Sequence, residues 1–212
     1  MPATFPQAGL AQRLTERGLP AVREQLAHPT VAGIAAGDLD PGAFRSWLEQ
    51  DYLFLLDYVR VFARLAWQAP DDHLGDLVDL AHSTWHEELS LHRELAGEFG
   101  ADLAGATASP ATAAYTAFLL DAAADYGRGL AALLPCMWGY STLGQMLAGR
   151  TPGGSRYARW VATYADPGFA ALAERCGQML DEAARAGLVD EPTATEAFDT
   201  AMRHELAFWH VP

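Results

Sequence analysis

Apolar side chains recur every three or four residues along almost the whole chain, which is the spacing of one face of an α-helix. The clearest apolar stripe contains Phe44, Leu48, Asp51, Leu55, Tyr58, Phe62 and Leu65. Strands would instead alternate apolar and polar residues, and we find no such alternation, no internal repeat and no low-complexity tail. We therefore predict an all-α protein, a helical bundle that forms a single domain over residues 1–212.

Proline and glycine mark the expected ends of these helices. Asp40-Pro41 and Ser109-Pro110 each place a capping side chain before a proline at the first helical position. Gly100 is suited to end a helix in the left-handed conformation. The predicted helices cover 7–28 (with Gly18-Leu19-Pro20 as a candidate break), a short segment before 36–39, 41–68, 71–99, 111–126, 128–148, 153–165, 168–186 and 192–209.

The charge balance and the cysteine count exclude several classes of protein. The 212 residues include 27 acidic and 14 basic residues, and every basic residue is arginine, for a formal net charge of -13. Such a charge argues against nucleic acid or an anionic membrane as a partner. The two cysteines form no CxxC pair, which predicts neither a disulfide framework nor a zinc site. With no signal-peptide pattern and no membrane-length apolar run, we expect a cytoplasmic protein.

Three side chains with reactive chemistry occupy positions where a core residue is expected. Cys136 directly follows Pro135 inside an apolar helical pattern, where the proline should kink the helix and leave carbonyls near the sulfur unpaired. Asp51 and Glu205 lie on apolar helix stripes, where a carboxylate must be paired, protonated or turned towards a polar cavity. Together they suggest a nucleophile and acids lining one pocket. The alternative for either acid alone is a core carboxylate satisfied by an arginine or a tyrosine.

Aromatic residues accompany these three positions. Tyr140 lies one turn after the cysteine, Phe54 lies three residues after Asp51, and Tyr115 and Tyr164 lie within their own helical patterns. Flat rings beside a thiol and two acids suit a planar heteroaromatic ligand that stacks on them while the acids bind its nitrogens. The alternative is that these rings are ordinary core residues. Cys176 has no comparable neighbours and is predicted to be a bystander.

The order of several sequence blocks resembles the TenA, or thiaminase II, family from about residue 28 to residue 209. The blocks are His28-Pro29, Gly33-Ile34, Gly37-Asp38-Leu39, Phe44, Gln50-Asp51-Tyr52-Leu53, Leu91-His92-Arg93-Glu94, Ser109-Pro110, Leu133-Leu134-Pro135-Cys136-Met137-Trp138-Gly139-Tyr140, Trp160-Val161-Ala162-Thr163-Tyr164, Glu205, Phe208 and Trp209. The resemblance implies a haem-oxygenase-like helical bundle without haem, no cofactor and a homotetramer. Residues 1–27 match nothing specific in it.

The resemblance also implies an activity and roles for three residues. Cys136 matches the family's nucleophile, Glu205 its acid–base residue, and Asp51 the carboxylate that holds the ring nitrogen and amino group of a pyrimidine. The retained cysteine places the chain in the thiol-containing branch. The implied reaction converts 4-amino-5-aminomethyl-2-methylpyrimidine to the hydroxymethyl pyrimidine and ammonia, with thiamin also cleaved, in thiamin salvage.

Four aromatic residues match the family's pocket by the same resemblance. Tyr140 matches a tyrosine that supports the thiol, and Tyr115 and Tyr164 match pocket tyrosines. Phe54 lies where relatives often have tyrosine, so stacking on the substrate is retained and a hydroxyl contact is lost.

Two alternatives of other classes remain. The segment from His82 to His92 could form a metal-binding helix of a di-iron oxidase, but no repeated Glu-x-x-His motif accompanies it. We favour a helix whose solvated side carries His86 and Glu87, with Glu88 and His92 pairing locally. The second alternative is a non-catalytic pyrimidine-binding protein, against which the thiol argues. We also disfavour the hypothesis that His28 binds haem, because the His28-Pro29 pair is typical of a junction between two helices.

Overall fold

The computed structural model describes residues 9–210, within which the backbone is helical and contains no strand, so the all-α prediction is confirmed. The α-helices of this part are α1 (Leu10–Ala27), α2 (Pro29–Ala36), α3 (Pro41–Gln68), α4 (Asp71–Ser83), α5 (Leu89–Phe99), α6 (Pro110–Ala122), α7 (Tyr126–Ala148), α8 (Ala158–Tyr164), α9 (Pro167–Arg185) and α10 (Glu191–Phe208). A π-helical turn, Thr84–Glu88, joins α4 to α5. Gln7, where the first helix was predicted to begin, lies outside the described residues.

The predicted capping signals are present. The Asp40 side chain accepts hydrogen bonds from the backbone N–H groups of Gly42 and Ala43, and Ser109 accepts one from Thr112. A proline occupies the first turn of α3 and α6, where its missing N–H costs nothing. Gly100 ends α5 with φ of 69°, in the left-handed region that glycine adopts without strain.

The candidate break in the first helix is wrong. Helix α1 runs through Pro20 without interruption. Gly18 serves the packing instead, because a Cβ there would lie 2.9 Å from ring atoms of both Phe198 and Trp138. The glycine therefore lets α1 approach α7 and α10 closely, and it does not end the helix.

The single helix predicted over 71–99 is also wrong, because the π-helical turn interrupts it. The N–H of Leu89 donates to the carbonyl of Thr84, five residues earlier, which adds one residue to that turn and changes the register of α5. Thr84 and Glu88 are the two buried residues of the turn. Amphipathic periodicity cannot reveal such an insertion, since it assumes 3.6 residues per turn throughout.

Three further helix boundaries differ from the prediction. Helix α6 ends at Ala122 and α7 begins at Tyr126, because the Asp125 side chain caps the N–H of Arg128. Residues 153–157 form turns, so α8 begins only at Ala158.

Helix α7 lies at the centre of the bundle. It packs against α1, α3, α6, α8, α9 and α10. Its approach to α8 is very close, because a Cβ on Gly144 would lie 2.5 Å from the backbone carbonyl carbon of Tyr164. Gly144 lies one helical turn after Tyr140, so its lack of a side chain allows the end of α8 to lie against this part of α7. None of the helices in the described range is long and apolar enough to span a membrane.

Candidate active site

Helices from all parts of the chain contribute polar side chains to one buried region. Asp51 comes from α3, His92 from α5, Cys136 from α7 and Glu205 from α10, and each is buried. Asp51 and Glu205 both contribute to raising the pKa of Cys136, which places the thiol within electrostatic reach of both carboxyls. The structure therefore brings together the three residues that the sequence singled out for their reactive side chains.

Asp51 is held by a histidine that the sequence analysis did not connect with it. Oδ2 of Asp51 lies 2.6 Å from Nε2 of His92, and Nδ1 of His92 lies 2.8 Å from the backbone carbonyl oxygen of Glu88. A carbonyl oxygen can only accept, so Nδ1 carries a hydrogen, and a proton must also lie between Nε2 and the carboxylate. Glu88 and His92 therefore pair locally, as expected, but the acceptor is the backbone carbonyl of Glu88 and not its carboxylate.

The pKa of His92 is shifted by its surroundings in this pair. Burial lowers the pKa of His92, but the hydrogen bond and the negative charge of Asp51 raise it by more, so its pKa lies above the ordinary value. Asp51 thus favours the protonated form of the imidazole, and the hydrogen bond links the two side chains. Such a pair keeps the second oxygen of Asp51 as an acceptor in a fixed orientation.

Glu205 is a buried acid with a tyrosine as its partner. The Tyr115 hydroxyl donates to Oε1 of Glu205 at 2.5 Å, which joins α6 to α10. Burial raises the pKa of Glu205 to about 8, although the hydrogen bond from Tyr115 acts in the opposite direction. At neutral pH this carboxyl is therefore mainly protonated and can donate a proton.

Cys136 is a protonated thiol in the resting protein. Burial raises its pKa well above the ordinary value, and the charges of Glu205, Glu88 and Asp51 raise it further. A hydrogen bond with Tyr58 acts in the opposite direction. The Tyr58 hydroxyl itself donates to the carbonyl of Leu133 at 3.0 Å, two residues before Pro135 in a helix that continues through the proline.

The Tyr58 hydroxyl has one proton, which it can donate to either of two acceptors. While Cys136 is a thiol, Tyr58 donates to Leu133 and can accept from the sulfur; once a thiolate forms, the same proton can turn to the sulfur. The resemblance implies that Tyr140 supports the thiol, whereas from the sequence Tyr58 is predicted only as a member of the apolar stripe. The sequence signal that could have placed Tyr58 in the site is its position one helical turn after Phe54, on the same face of α3.

Glu88 is a further titratable residue that the sequence analysis considered only as a metal ligand or a local partner. The Thr84 hydroxyl donates to its Oε1 at 3.0 Å, and the Tyr164 hydroxyl to its Oε2 at 3.4 Å. Burial raises the pKa of Glu88 to about 7, against the opposing effects of His92 and Thr84. Its inward position follows from the π-helical turn, for which the sequence carries no simple signal.

The aromatic residues form two packed groups beside these polar side chains. The Phe54 ring lies 5.0 Å from that of Tyr115, measured between centroids, and 5.5 Å from that of Phe208. The Tyr140 ring lies 5.1 Å from that of Tyr164. All four aromatic residues chosen from the sequence are buried here, and such rings offer flat faces to a planar ligand.

The remaining candidates lie outside this region. Cys176 is fully buried on α9, and burial raises its pKa to about 12, as suits an unreactive core thiol. His86 and Glu87 are exposed, as expected of a solvated helix face. Among residues 9–210 no three His, Cys, Asp or Glu side chains are placed to hold a metal ion together.

The described residues thus form an α-helical bundle whose buried region holds a thiol, an acid bonded to a tyrosine and a carboxylate bonded to a histidine. The TENA/THI-4/PQQC family model matches residues 16–211 of the chain. The chain belongs to this family.

Individual relatives are similar over most of their length. An aminopyrimidine aminohydrolase from Halalkalibacterium halodurans is 35% identical over 94% of this chain and 93% of its own. An aminopyrimidine aminohydrolase from Bacillus subtilis is 31% identical over 86% of this chain and 80% of its own. The crystal structure of a protein described as a TenA family transcription regulator, from Silicibacter sp. TM1040, superposes with a TM-score of 0.87 at 28% identity, covering 96% of both chains.

Proposed function

We propose that this chain is an aminopyrimidine aminohydrolase of thiamin salvage. It would hydrolyse 4-amino-5-aminomethyl-2-methylpyrimidine to the hydroxymethyl pyrimidine and ammonia, and it would also cleave thiamin. The observation that carries the proposal is the convergence of Cys136, Glu205 and Asp51 in one buried region, each with a hydrogen-bonding partner. The aminohydrolases from two bacteria that resemble the chain along most of its length support the choice of reaction.

The first step is addition of the thiol to the pyrimidine. Direct displacement at a CH₂ group next to an aromatic ring is slow, and addition to the neighbouring ring carbon removes the aromaticity first. The sulfur of Cys136 forms a bond to that carbon while its proton passes to a ring nitrogen held by Asp51. Because the thiol pKa is raised, this addition takes place without a standing thiolate. Tyr58 can turn its hydroxyl proton to the sulfur as charge develops there.

The second stage exchanges ammonia for water. Glu205 gives its proton to the departing amine as the C–N bond breaks, which leaves an exocyclic methylene on the ring. Water then adds to this methylene and returns a proton to Glu205. The C–S bond breaks, the ring nitrogen returns its proton to the sulfur, and the ring regains its aromaticity. The net reaction consumes one water and releases one ammonia, and the protein is unchanged.

The aromatic residues position the ring in this scheme. Phe54 and Tyr140 come from the two aromatic groups and would contact the faces of the pyrimidine. Tyr115 would orient Glu205 through its 2.5 Å hydrogen bond. Tyr164 would complete the wall beside Tyr140.

The test of this function is ammonia release from the aminomethyl pyrimidine, with thiamin cleavage measured in parallel. We expect turnover by the wild-type chain and its loss in Cys136→Ser. The matched control is Cys176→Ser, which alters the other buried cysteine and should retain turnover. Binding of the pyrimidine without turnover by the wild-type protein would contradict the proposed hydrolase and support a non-catalytic binding protein.

We also propose that the protein assembles as a homotetramer. The support is a set of large apolar side chains that α3 and α4 leave exposed, namely Trp67, Leu74 and Val78. Leu74 and Val78 are four residues apart and therefore share one face of α4. Light scattering should give the mass of four 22.9 kDa chains. A monomeric mass would contradict this assembly.

Two further proposals concern the chain as a whole. Residues 1–212 would form a single domain, because α1 packs against α7, α9 and α10 and so joins the same core. A cytoplasmic location is supported by the two free, buried cysteines, which suit a reducing compartment.

A further inference from the structure

His204 lies on α10 directly before Glu205, and its imidazole ring is half-buried against α6. The imidazole stacks on the Tyr115 ring, with 5.2 Å between the ring centroids and 8° between the ring planes. It also lies 5.3 Å from the ring of Phe118, which follows Tyr115 by about one turn of α6. The reaction described above assigns no role to His204.

Two consecutive residues of α10 therefore contact different parts of one tyrosine. Glu205 accepts a hydrogen bond from the Tyr115 hydroxyl at 2.5 Å, whereas His204 covers a face of the Tyr115 ring. Of the rings that contact Tyr115 within residues 9–210, only the imidazole lies parallel to it, since Phe54 meets it at 37° and Phe208 at 69°. His204 is thus the neighbour best placed to fix the plane of the Tyr115 ring.

The plane of the Tyr115 ring decides where its hydroxyl proton points. Rotation about the bond from Cβ to the ring leaves the hydroxyl oxygen in place, but it turns the O–H bond, which prefers to lie in the ring plane. This torsion is broad in tyrosine, so neighbouring side chains must define it. A parallel stacked ring resists the rotation, because tilting would lose the contact between the two faces.

We propose that His204 is a positioning residue for the acid–base pair, because its stacked imidazole directs the Tyr115 hydroxyl proton to Oε1 of Glu205. The inference rests on the proposed function, in which Glu205 protonates the departing amine and later accepts a proton from water. While Oε1 accepts from Tyr115, the acid proton of Glu205 lies on Oε2, from which it passes to the amine. If the tyrosine turns away, the proton can lie on either oxygen, and a smaller fraction of molecules is ready to react.

His204 acts through its flat face and not through a charge. Burial lowers the pKa of His204, and the positive charge of Arg203 lowers it further, so the imidazole is neutral at neutral pH. A neutral ring adds no charge beside Glu205. Another flat ring at position 204 should therefore support Tyr115 as the histidine does.

The first test separates the flat face from the volume of the side chain. His204→Leu fills a similar space without a flat ring, and we expect kcat for ammonia release to fall roughly threefold to tenfold, with KM within about twofold. His204→Phe restores a flat ring and should keep kcat within about twofold of the wild-type value. The matched control is His210→Ala, which removes a ring contact with His28 and should leave both constants within about twofold.

The second test measures the pKa of Glu205 and does not depend on turnover. Burial raises this pKa to about 8, and the hydrogen bond from Tyr115 acts against the rise. His204→Leu weakens the hydrogen bond and keeps the region apolar, so the pKa of Glu205 should rise further. Carbon-13 NMR of glutamate-labelled protein would follow the titration, with the Glu205 signal assigned by its loss in Glu205→Gln. A lower folding stability alone would not raise this pKa, and His204→Phe should return it to the wild-type value.

A double substitution tests whether His204 acts through Tyr115. Tyr115→Phe has no hydroxyl proton to direct, so adding His204→Leu to it should change kcat by no more than about twofold. If the two losses of kcat multiply in the double variant, His204 acts independently of Tyr115 and the inference is wrong.

The outcomes separate this inference from the proposed function. Unchanged kcat and an unchanged Glu205 pKa in His204→Leu would overturn the inference and leave the hydrolase intact. Equal losses in His204→Leu and His204→Phe would also overturn it, because the flat ring would then have no special effect. No turnover by the wild-type chain would overturn the proposed function instead, and the Glu205 pKa would still decide whether His204 positions the Tyr115 hydroxyl.

Discussion

His92 and Asp51 form a buried hydrogen-bonded pair that joins α5 to α3, with Nε2 of the histidine 2.6 Å from Oδ2 of the aspartate. The histidine is fixed in turn by the Glu88 carbonyl at the end of the π-helical turn. The Glu88 carbonyl orients His92, and His92 orients Asp51. The position of the π-helical turn therefore influences the carboxylate that we expect to hold the substrate ring. Burying such a pair stabilises the fold little, since desolvation offsets the attraction, but the pair fixes one orientation of Asp51.

Replacement of His92 should weaken substrate binding. In His92→Gln, a shorter amide replaces the imidazole, so Asp51 loses the partner that fixes its orientation. We expect affinity for the pyrimidine product to fall roughly tenfold, measured by calorimetry in a Cys136→Ser background. The control is His86→Gln, an exposed histidine on the adjacent turn. Unchanged affinity in His92→Gln would show that Asp51 does not depend on this partner.

Activity should decrease as the medium becomes alkaline. Glu205 must be protonated to assist the departing amine, and its pKa is raised to about 8, so kcat/KM should fall as the pH rises through that value. Glu205→Gln should lower kcat by roughly a hundredfold or more, with product affinity changed much less. A kcat that survives the substitution would remove Glu205 from the acid–base role.

The same substitution should stabilise the protein at alkaline pH. The unfolded carboxyl releases its proton near pH 4.5 and the folded one near 8, so the unfolded state binds fewer protons between these values and wild-type stability falls there as pH rises. The loss is on the order of 1 kcal/mol per pH unit across this window. The Tm of Glu205→Gln, relative to wild type, should therefore increase from pH 5 to pH 8.5. A pH-independent Tm difference would contradict the raised pKa.

Loss of the Tyr58 hydroxyl should make the thiol less reactive. In Tyr58→Phe the developing thiolate loses its hydrogen-bond donor, so alkylation of Cys136 by iodoacetamide should slow by roughly threefold to tenfold at fixed pH. Peptide mapping distinguishes this cysteine from Cys176. Tyr126→Phe is the control, since that hydroxyl bonds His73 instead. Equal alkylation rates in the wild type and Tyr58→Phe would show that the hydroxyl has no influence on the thiol.

A methyl group at Gly144 should displace Tyr164. In Gly144→Ala the new Cβ would meet the Tyr164 carbonyl carbon at 2.5 Å, and backbone atoms cannot yield as a flexible side chain can. We expect a loss of roughly 1–3 kcal/mol in unfolding free energy, together with reduced turnover. Gly139 lies in the same helix with nothing within 4 Å of its Cβ position, so Gly139→Ala should be neutral or gain up to about 1 kcal/mol. Thermal denaturation compares the two variants, and equal Tm values would contradict the close approach of α8.

Properties that depend on neighbouring residues could be predicted from the sequence. The helical period, the capping of α3 by Asp40 and the end of α5 at Gly100 follow from interactions within a few residues. The inward positions of Asp51, Cys136 and Glu205 could be predicted for the same reason, because a stripe of apolar residues defines which face of its own helix is buried. Pro20 shows the limit of such rules, since α1 continues through it, and Gly18 close to it serves close packing against α7 and α10.

The partner of each buried polar group depends on the packing of distant helices. Tyr115 and Glu205 are 90 residues apart, and Asp51 and His92 are 41 apart, so neither pair leaves a local pattern. The π-helical turn, in which Glu88 is buried, also packs against α3, a segment distant in the sequence. Helical periodicity determines the face of each helix that is buried, but the meeting of two faces depends on the packing of all the helices together. Helical periodicity and capping therefore predict most of the helices and which reactive residues face inward, whereas the contacts of those residues depend on how the helices pack.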